Sequence, residues 1–250
     1  MLSCKIRCLA IGVVSLFAAG VTWSEKAELL PPPTLSAAQI VEQMQVHNQA
    51  RNEALKNYRS LRHYAVQYKG FPSSFEATMD VEVAYDADSG KSFRIISQSG
   101  SKFLCNKVLK RAVDSEEEAS KDKSSTALTT ANYKFQLAGN ENLAGRPTYI
   151  LDVVPIADSK FLYRGRIWVD ATDFAVAKIA AEPARNPSLW ISRTQINSTS
   201  AKTGDFWFPD QNRSETKVRI GGTAVLTINY GTYKVQREEV SATAGVETSR

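Results

Sequence analysis

The alternation of apolar and polar residues along most of the chain constrains its fold more than any other feature. From Leu61 onward, apolar side chains recur at every second position in successive segments, and turn-forming residues separate these segments. A period of two is typical of β-strands with one buried face, and short connections favour antiparallel pairing. The predicted strands are residues 61–70, 76–86, 91–99, 133–139, 147–156, two strands within 163–179, and 189–200, 205–209, 212–220 and 224–235.

Two segments follow helical spacing instead. Ser36 and Gln39 form a capping box at the start of the first, which we expect to run for about two dozen residues. The second runs from Lys102 to Val113, and we expect the charged residues 114–132 after it to form a solvated loop, with a lid as the alternative. The stripe that faces a partner surface on the first helix consists of Ile40, Met44, His47, Arg51, Leu55 and Tyr58.

A long antiparallel sheet with one apolar face needs a cover, and the chain offers two helices for it. The sequence therefore predicts an α+β fold with a strongly curved antiparallel sheet and helices across its mouth, built as one domain over residues 36–235. Two alternatives stay open for the space between sheet and helices. It is either a filled core or an apolar cavity that takes a ligand.

The N-terminus has the pattern of a secretory signal peptide. Lys5 and Arg7 precede an apolar run that is short for a membrane span, and cleavage after Ser24 fits better than cleavage after Gly20. An uncleaved anchor is the other interpretation. We therefore expect a periplasmic protein that is soluble after cleavage. The predicted segments outside the domain are a signal peptide over 1–24, a Pro-rich spacer over 25–35 and a flexible tail over 236–250.

Charge and cysteine content exclude several classes of protein. The formal net charge is +5, and about +3 of it stays after signal removal, spread too evenly for nucleic-acid binding. Once Cys4 and Cys8 are lost with the signal, Cys105 has no cysteine partner, so we expect a buried, inert thiol.

The chain lacks the common catalytic and metal-binding motifs, so we predict no enzyme, no metal and no cofactor. His47 is expected to be packed or at a rim. Asp170 and Asp173 have the spacing to serve as paired carboxylates, but Asp side chains more often hold turns. The acidic segment 86–90 lacks the closing ligand of a calcium loop and predicts a hairpin turn.

One passage carries a family resemblance. LAGRPTYILDVVP (143–155) followed by YRGRIWVDATDFAVAKI (163–179) resembles a pattern of the LolA/LolB-like lipoprotein carriers and their LppX-type and RseB-like relatives. Alternation places Ile167 and Val169 on one face of the passage and Trp168 on the other, which leaves open which of them faces a cavity.

The resemblance implies an antiparallel half-barrel whose apolar cavity holds the acyl chains of a lipid or an acylated lipoprotein. It implies an outer-membrane lipoprotein-sorting carrier, with an inner- or outer-membrane protein as a further partner. The alternative is an RseB-like sensor or scaffold that binds a protein partner, which an exposed aromatic loop at 206–209 would favour. The candidate cavity residues are Met44, Tyr58, Ile167, Trp168, Val169, Trp190, Phe206 and Trp207.

Overall fold

The computed structural model describes most of the predicted domain. The signal peptide, nearly all of the spacer, Trp190 and the tail lie outside the described residues. The described ranges are 34–71, 73–186, 191–219 and 221–235.

The elements alternate along the chain much as the sequence predicts. The helical elements are α1 (Ala37–Ala54), α2 (Lys102–Leu104), a π-helical turn (Cys105–Leu109), α3 (Lys110–Lys121) and α4 (Lys123–Thr126). The strands are β1 (Asn57–Lys69), β2 (Phe75–Asp86), β3 (Gly90–Gly100), β4 (Tyr133–Leu143), β5 (Arg146–Pro155), β6 (Tyr163–Asp170), β7 (Val176–Pro183), β8 (Ile191–Thr203), β9 (Phe206–Val218), β10 (Thr223–Tyr230) and β11 (Lys234–Val235).

The strands form one antiparallel sheet in the order β3-β2-β1-β10-β9-β8-β7-β6-β5-β4, with β11 beside β1. The described parts of β3 and β4 are its two edges, so the sheet is open rather than a closed barrel. The predicted fold class, an α+β half-barrel of antiparallel strands with helices over it, is confirmed. Within the described ranges, no helix is both long and apolar enough to cross a membrane.

Register shows that the helices share one face of the sheet. Residues opposite each other in antiparallel strands point to the same side. This inner face can be followed across the sheet through Tyr64, Ile228, Asn212, Ser198, Ile179 and Ile167.

Two separate apolar clusters lie on that inner face. The first, here the α1 cluster, joins Ile40, Val41 and Met44 of α1 to strands β4–β7. The second, here the α3 cluster, lies under the continuous helical segment 102–121 and on strands β1, β2, β9 and β10. Both are packed cores, which favours the filled-core alternative for the structure as it stands.

The first helix is shorter than predicted and ends before Tyr58. It has 18 residues, and Leu55 after it is already in an extended conformation. Tyr58 lies in β1, where it pairs with Tyr85 of β2, so its predicted place on the helical stripe is wrong. Pairing with β2 satisfies the backbone of this segment and overrides its helical spacing. The predicted capping box is present, with Ser36 and Gln39 bonded both ways.

The charged residues after Val113 form more helix than expected. α3 continues to Lys121, and Asp122 caps α4 by accepting from Ser125 N at 3.2 Å. Glu116 is drawn into an ion pair with the sheet, and this tertiary contact orders a segment whose composition alone favours a loop.

The turns agree with their residue types. Asp86 accepts from the backbone of Asp88 and Ser89, and Gly90 has φ +81°, which an L side chain rarely adopts. Gly221 has φ +99° in the turn between β9 and β10. The two predicted strands at 205–209 and 212–220 are the single strand β9, whose pairing with β8 shifts register opposite Thr199 and Ser200.

Candidate functional site

The helix α1 covers one part of the sheet and is attached to it by few contacts. Its buried residues are Ile40, Val41 and Met44, which insert into the α1 cluster. The Arg51 guanidinium donates to the backbone oxygens of Asp173 and Phe174 at 2.7 and 3.4 Å. Among the described residues, no salt bridge joins α1 to the sheet.

The surface beneath α1 is apolar and closely packed. Ile167 and Val169 are fully buried there, beside aromatic rings from three strands. His47 packs at the rim, with its ring centroid 5.3 Å from that of Phe174, as the sequence predicts. The other fully or nearly fully buried sheet residues of this surface are Tyr133, Tyr149, Leu151 and Val153.

A cleft of about 230 Å³ opens between the C-terminal end of α1 and the sheet. Its apolar wall includes Leu55, Val176 and the three aromatic residues at 206–208, so the cleft lies where the two clusters meet. Polar residues complete the lining, namely Asn48, Arg51, Asn52 and Ser200. Small-molecule sites usually have about 300–1,000 Å³. The closed structure therefore has an entrance here but lacks room for a whole acyl chain.

Polar side chains hold the outer rim of this cleft. The Asp173 carboxylate accepts from Arg146, from Lys202 at 2.8 Å and from Trp207 Nε1 at 3.0 Å. Burial alone would raise the pKa of Asp173, but these donors outweigh it and hold the pKa below its usual value. The Arg146 guanidinium also lies 5.4 Å from the Trp207 ring centroid, so Trp207 is a fixed part of the rim.

The Asp170–Asp173 pair holds a turn, as alternation and turn chemistry predict. Asp170 Oδ1 accepts from the backbone of Thr172 and Asp173 at 3.0 and 2.8 Å, and Arg146 binds both carboxylates. Both carboxylates are therefore engaged in holding the turn and its arginine. The geometry thus supports the structural interpretation of this motif.

Trp168 lies on the opposite face from Ile167 and Val169. Its Nε1 donates to Glu141 at 2.7 Å, and Lys178 Nζ lies 4.3 Å from its ring centroid. The structure therefore does not bring Trp168 together with the residues under α1.

The remaining described candidates fall into two groups. Met44, Ile167 and Val169 meet in the α1 cluster. Tyr58 and Phe206 belong to the α3 cluster, where Tyr58 packs edge-on against Phe208. Residues 206–209 form part of β9 and include a buried Phe208, so they are not the exposed aromatic loop that the scaffold alternative requires.

A buried charge in the α3 cluster was missed by the sequence analysis. Arg62 has 1% of its side chain exposed and donates to Glu116 of α3 at 2.5 Å, while Lys91 binds the other Glu116 oxygen at 3.1 Å. Burial alone would raise the pKa of Glu116, but Arg62 and Lys91 hold it below its usual value. The sequence did carry a signal for this burial, since Arg62 has the same alternation along β1 as the apolar Tyr64 and Val66.

The surroundings of Arg62 are polar for a protein core. Its guanidinium carbon lies 4.8 Å from the Tyr230 ring centroid. Burial raises the pKa of Tyr58 to about 12, despite the nearby Arg62. Several buried polar atoms have no hydrogen-bond partner within the described part of the chain, namely Ser60 Oγ, Arg62 Nε, Tyr64 OH and Tyr233 OH.

Comparison with known proteins finds similar folds at low sequence identity. No protein-family model matches the chain, and no curated protein sequence matches it. One similar structure is a domain of the outer membrane lipoprotein-sorting type from Vibrio parahaemolyticus, 13% identical over 81% of this chain and 94% of that chain, with a TM-score of 0.42. A DUF1329 family protein from Desulfovibrio piger is 15% identical over 82% and 95%, with a TM-score of 0.40. A LolA superfamily protein from Nitrosomonas europaea is 13% identical over 82% and 95%, with a TM-score of 0.34.

Proposed function

We propose that this chain is an exported, periplasmic protein that binds the acyl chains of a lipid or an acylated lipoprotein beneath α1 and carries them toward the outer membrane. The observation that carries the proposal is the unequal attachment of the two covers. α1 packs on a mainly apolar surface, and its polar attachment is the pair of hydrogen bonds from Arg51 to backbone oxygens, with no ion pair to the sheet among the described residues. The segment 102–121 is instead held by a buried ion pair.

The energies favour exchange of α1 for an acyl chain. Lifting α1 uncovers three fully buried apolar side chains, which costs about 5–9 kcal/mol. It also breaks the two hydrogen bonds of Arg51 to backbone oxygens, which adds about 3–6 kcal/mol. An acyl chain of about 14 methylenes gains about 11 kcal/mol on burial at about 0.8 kcal/mol each. Since these quantities are close, an acyl chain can take the place of the helix and leave again.

In this proposal α1 pivots at its short connection to the sheet. Leu55 and Lys56 alone separate the end of α1 from β1. The cleft beside Leu55 and Phe206 is the point at which a chain would begin to enter. In this proposal Ile167 and Val169 line the acyl site, and Met44 belongs to the cover that the acyl chain displaces. Phe206 and Trp207 lie at the entrance, and Trp168 stays outside the site.

Mass spectrometry and hydrogen exchange test the proposal together. Native mass spectrometry of protein purified from a bacterial envelope should show bound acylated species that delipidation removes. Addition of a fatty acid to the delipidated protein should then change amide exchange in α1 while leaving residues 102–121 protected. A protein that carries no acylated species and binds no fluorescent fatty acid would contradict the proposal. Loss of protection at 102–121 instead of α1 would contradict the choice of cover.

A further inference from the structure

Exposed phenylalanines gather at one end of the sheet. Phe71, Phe75 and Phe103 are 84%, 44% and 68% exposed. Phe71 belongs to the connection between β1 and β2, and Phe75 is the first residue of β2. Phe103 follows the end of β3, which pairs with the start of β2. Topology therefore places the three rings at the same end of the molecule, here called the phenylalanine tip.

The tip is held in place by the fold. The Tyr68 hydroxyl lies within hydrogen-bond distance of the carbonyl oxygens of Phe71 and Gly221, at 3.1 and 2.8 Å. The Tyr68 ring stacks with Phe75 at 6.4 Å between centroids. On the other side, Ser101 N donates to the Glu76 carbonyl at 2.8 Å, which fixes the start of the Phe103 helix beside β2. The phenylalanines are thus presented by ordered backbone, although burial would be expected for such side chains.

Basic residues surround the tip. Lys69 pairs with Thr223 of β10, which in turn pairs with Lys217 of β9, so both lysines lie at this end of the sheet. Lys102 precedes Phe103, and Arg219 follows β9. Glu76 and Glu215 lie in the adjoining row of the sheet, so two acidic residues stand against these four basic ones and the net charge around the tip is positive.

The charges along the helical segment 102–121 are also distributed unevenly, in a direction that opposes the helix dipole. Basic residues occupy its first half, whereas its second half is acidic until Lys121, which ends the segment and pairs with Glu117. This second half runs toward Lys91 at the far end of the sheet. Cations near a helix N-terminus and anions near its C-terminus oppose the helix dipole and destabilise it. Helix stability therefore does not explain the pattern. The residues concerned are Lys102, Lys107, Lys110 and Arg111, followed by Asp114, Glu116, Glu117 and Glu118.

We propose that the phenylalanine tip is a docking surface for an anionic phospholipid bilayer, on which the aromatic rings enter the interface and the lysines bind the headgroups. Apolar anchors combined with basic residues give reversible attachment to membranes, and the attraction to anionic lipid acts within about 10 Å of the surface. A membrane fits better than a protein partner, since exposed aromatic side chains next to basic residues match the apolar interface and the anionic headgroups of a bilayer. This docking is separate from the acyl site under α1 and does not depend on it.

Vesicle flotation with the purified protein tests the proposal. Wild-type protein should bind phosphatidylcholine vesicles that contain phosphatidylglycerol and bind pure phosphatidylcholine vesicles more weakly. Phe71→Ser combined with Phe103→Ser should reduce binding by about tenfold or more. The matched control is Val154→Ser combined with Ile156→Ser, which removes two similarly exposed apolar side chains, 54% and 56%, from β5 and its end. This control should bind as wild type does.

A charge variant separates the two contributions. Lys102→Glu should weaken binding to the anionic vesicles while leaving binding to pure phosphatidylcholine unchanged, and Lys134→Glu on the exposed side of β4 should change neither. Absence of vesicle binding by the wild type, or equal losses in tip and control variants, would overturn the docking surface. All four variants should still take up a soluble fluorescent fatty acid, so failure of docking and failure of acyl binding are distinguishable.

Discussion

The α1 cluster and the α3 cluster cover the same face of one sheet but are built on different physical principles. The α1 cluster contains apolar and aromatic side chains, and α1 is held mainly by the area it buries, with two hydrogen bonds from Arg51 to backbone oxygens at its C-terminal end. The α3 cluster encloses Arg62 and several tyrosine hydroxyls, and its helix is tied down by Glu116. Burial of area is non-directional, so another apolar body can replace α1. A buried ion pair requires its own partner, so α3 cannot be replaced in the same way.

The largest expected effect comes from breaking that ion pair. Glu116→Ala leaves Arg62 buried without its carboxylate and should lower the free energy of unfolding by roughly 3 kcal/mol. The matched control is Glu118→Ala in the same helix. It removes a 57% exposed carboxylate that pairs with Lys160, and it should cost about 0.5 kcal/mol or less. Urea unfolding measures both. Equal costs would show that the α3 cover is held by apolar burial after all.

Acid should weaken the α3 cluster through the same carboxylate. The folded-state pKa of Glu116 is depressed, so its contribution to stability is complete above the ordinary carboxylate pKa of about 4.3 and is lost as the pH falls through the folded-state pKa. Glu116→Gln should therefore be less stable than wild type near about pH 7, and the difference should shrink near about pH 3. A difference that stays constant between these two values in urea titrations would exclude Glu116 as the titrating group.

Truncation of one buried side chain in each helical cover tests which of the two the ligand displaces. Met44→Ala and Leu109→Ala remove fully buried residues from the two helical covers, and each should cost about 2–3 kcal/mol. In our proposal only the first weakens the cover that the ligand displaces, so Met44→Ala should raise the affinity for a fluorescent fatty acid by about tenfold or more. Leu109→Ala should leave it unchanged. The reverse result would assign the acyl site to the α3 cluster.

The smallest expected effect concerns the outer face. Trp168→Phe keeps an aromatic ring beside Lys178 but loses the hydrogen bond to Glu141, which should cost about 1 kcal/mol. Fatty-acid affinity should stay at the wild-type value, because Trp168 lies on the opposite side of β6 from the proposed site. A clear loss of affinity in a folded Trp168→Phe protein would mean that the ligand binds on the outer face.

Much of the framework could be predicted because it depends on local chemistry. The capping box at Ser36, the turns at Asp86 and Gly221 and the period-two strands all involve residues close in the sequence. Their hydrogen bonds are satisfied almost wherever the segment lies. The Asp170 turn belongs to the same class, since its carboxylate binds backbone only two and three residues away.

The candidate site could be predicted only in part. Alternation separates Ile167 from Trp168, but their faces are equivalent until a helix covers one of them. Tyr58 has helical spacing with Met44, yet it pairs with Tyr85 because β2 offers its backbone a complete set of partners. The burial of Arg62 depends on Glu116, 54 positions away, and nothing in the acidic run 116–118 marks which carboxylate the sheet will use.

The sequence by itself determined most of the strands and turns, because periodicity and turn residues act over a few positions. The tertiary structure alone decided which face of β6 is covered and which helix is held by charge. The same packing decided that three phenylalanines meet at one exposed end of the sheet. These outcomes depend on the order of strands in the sheet and on contacts between distant segments, and local periodicity carries no information about either.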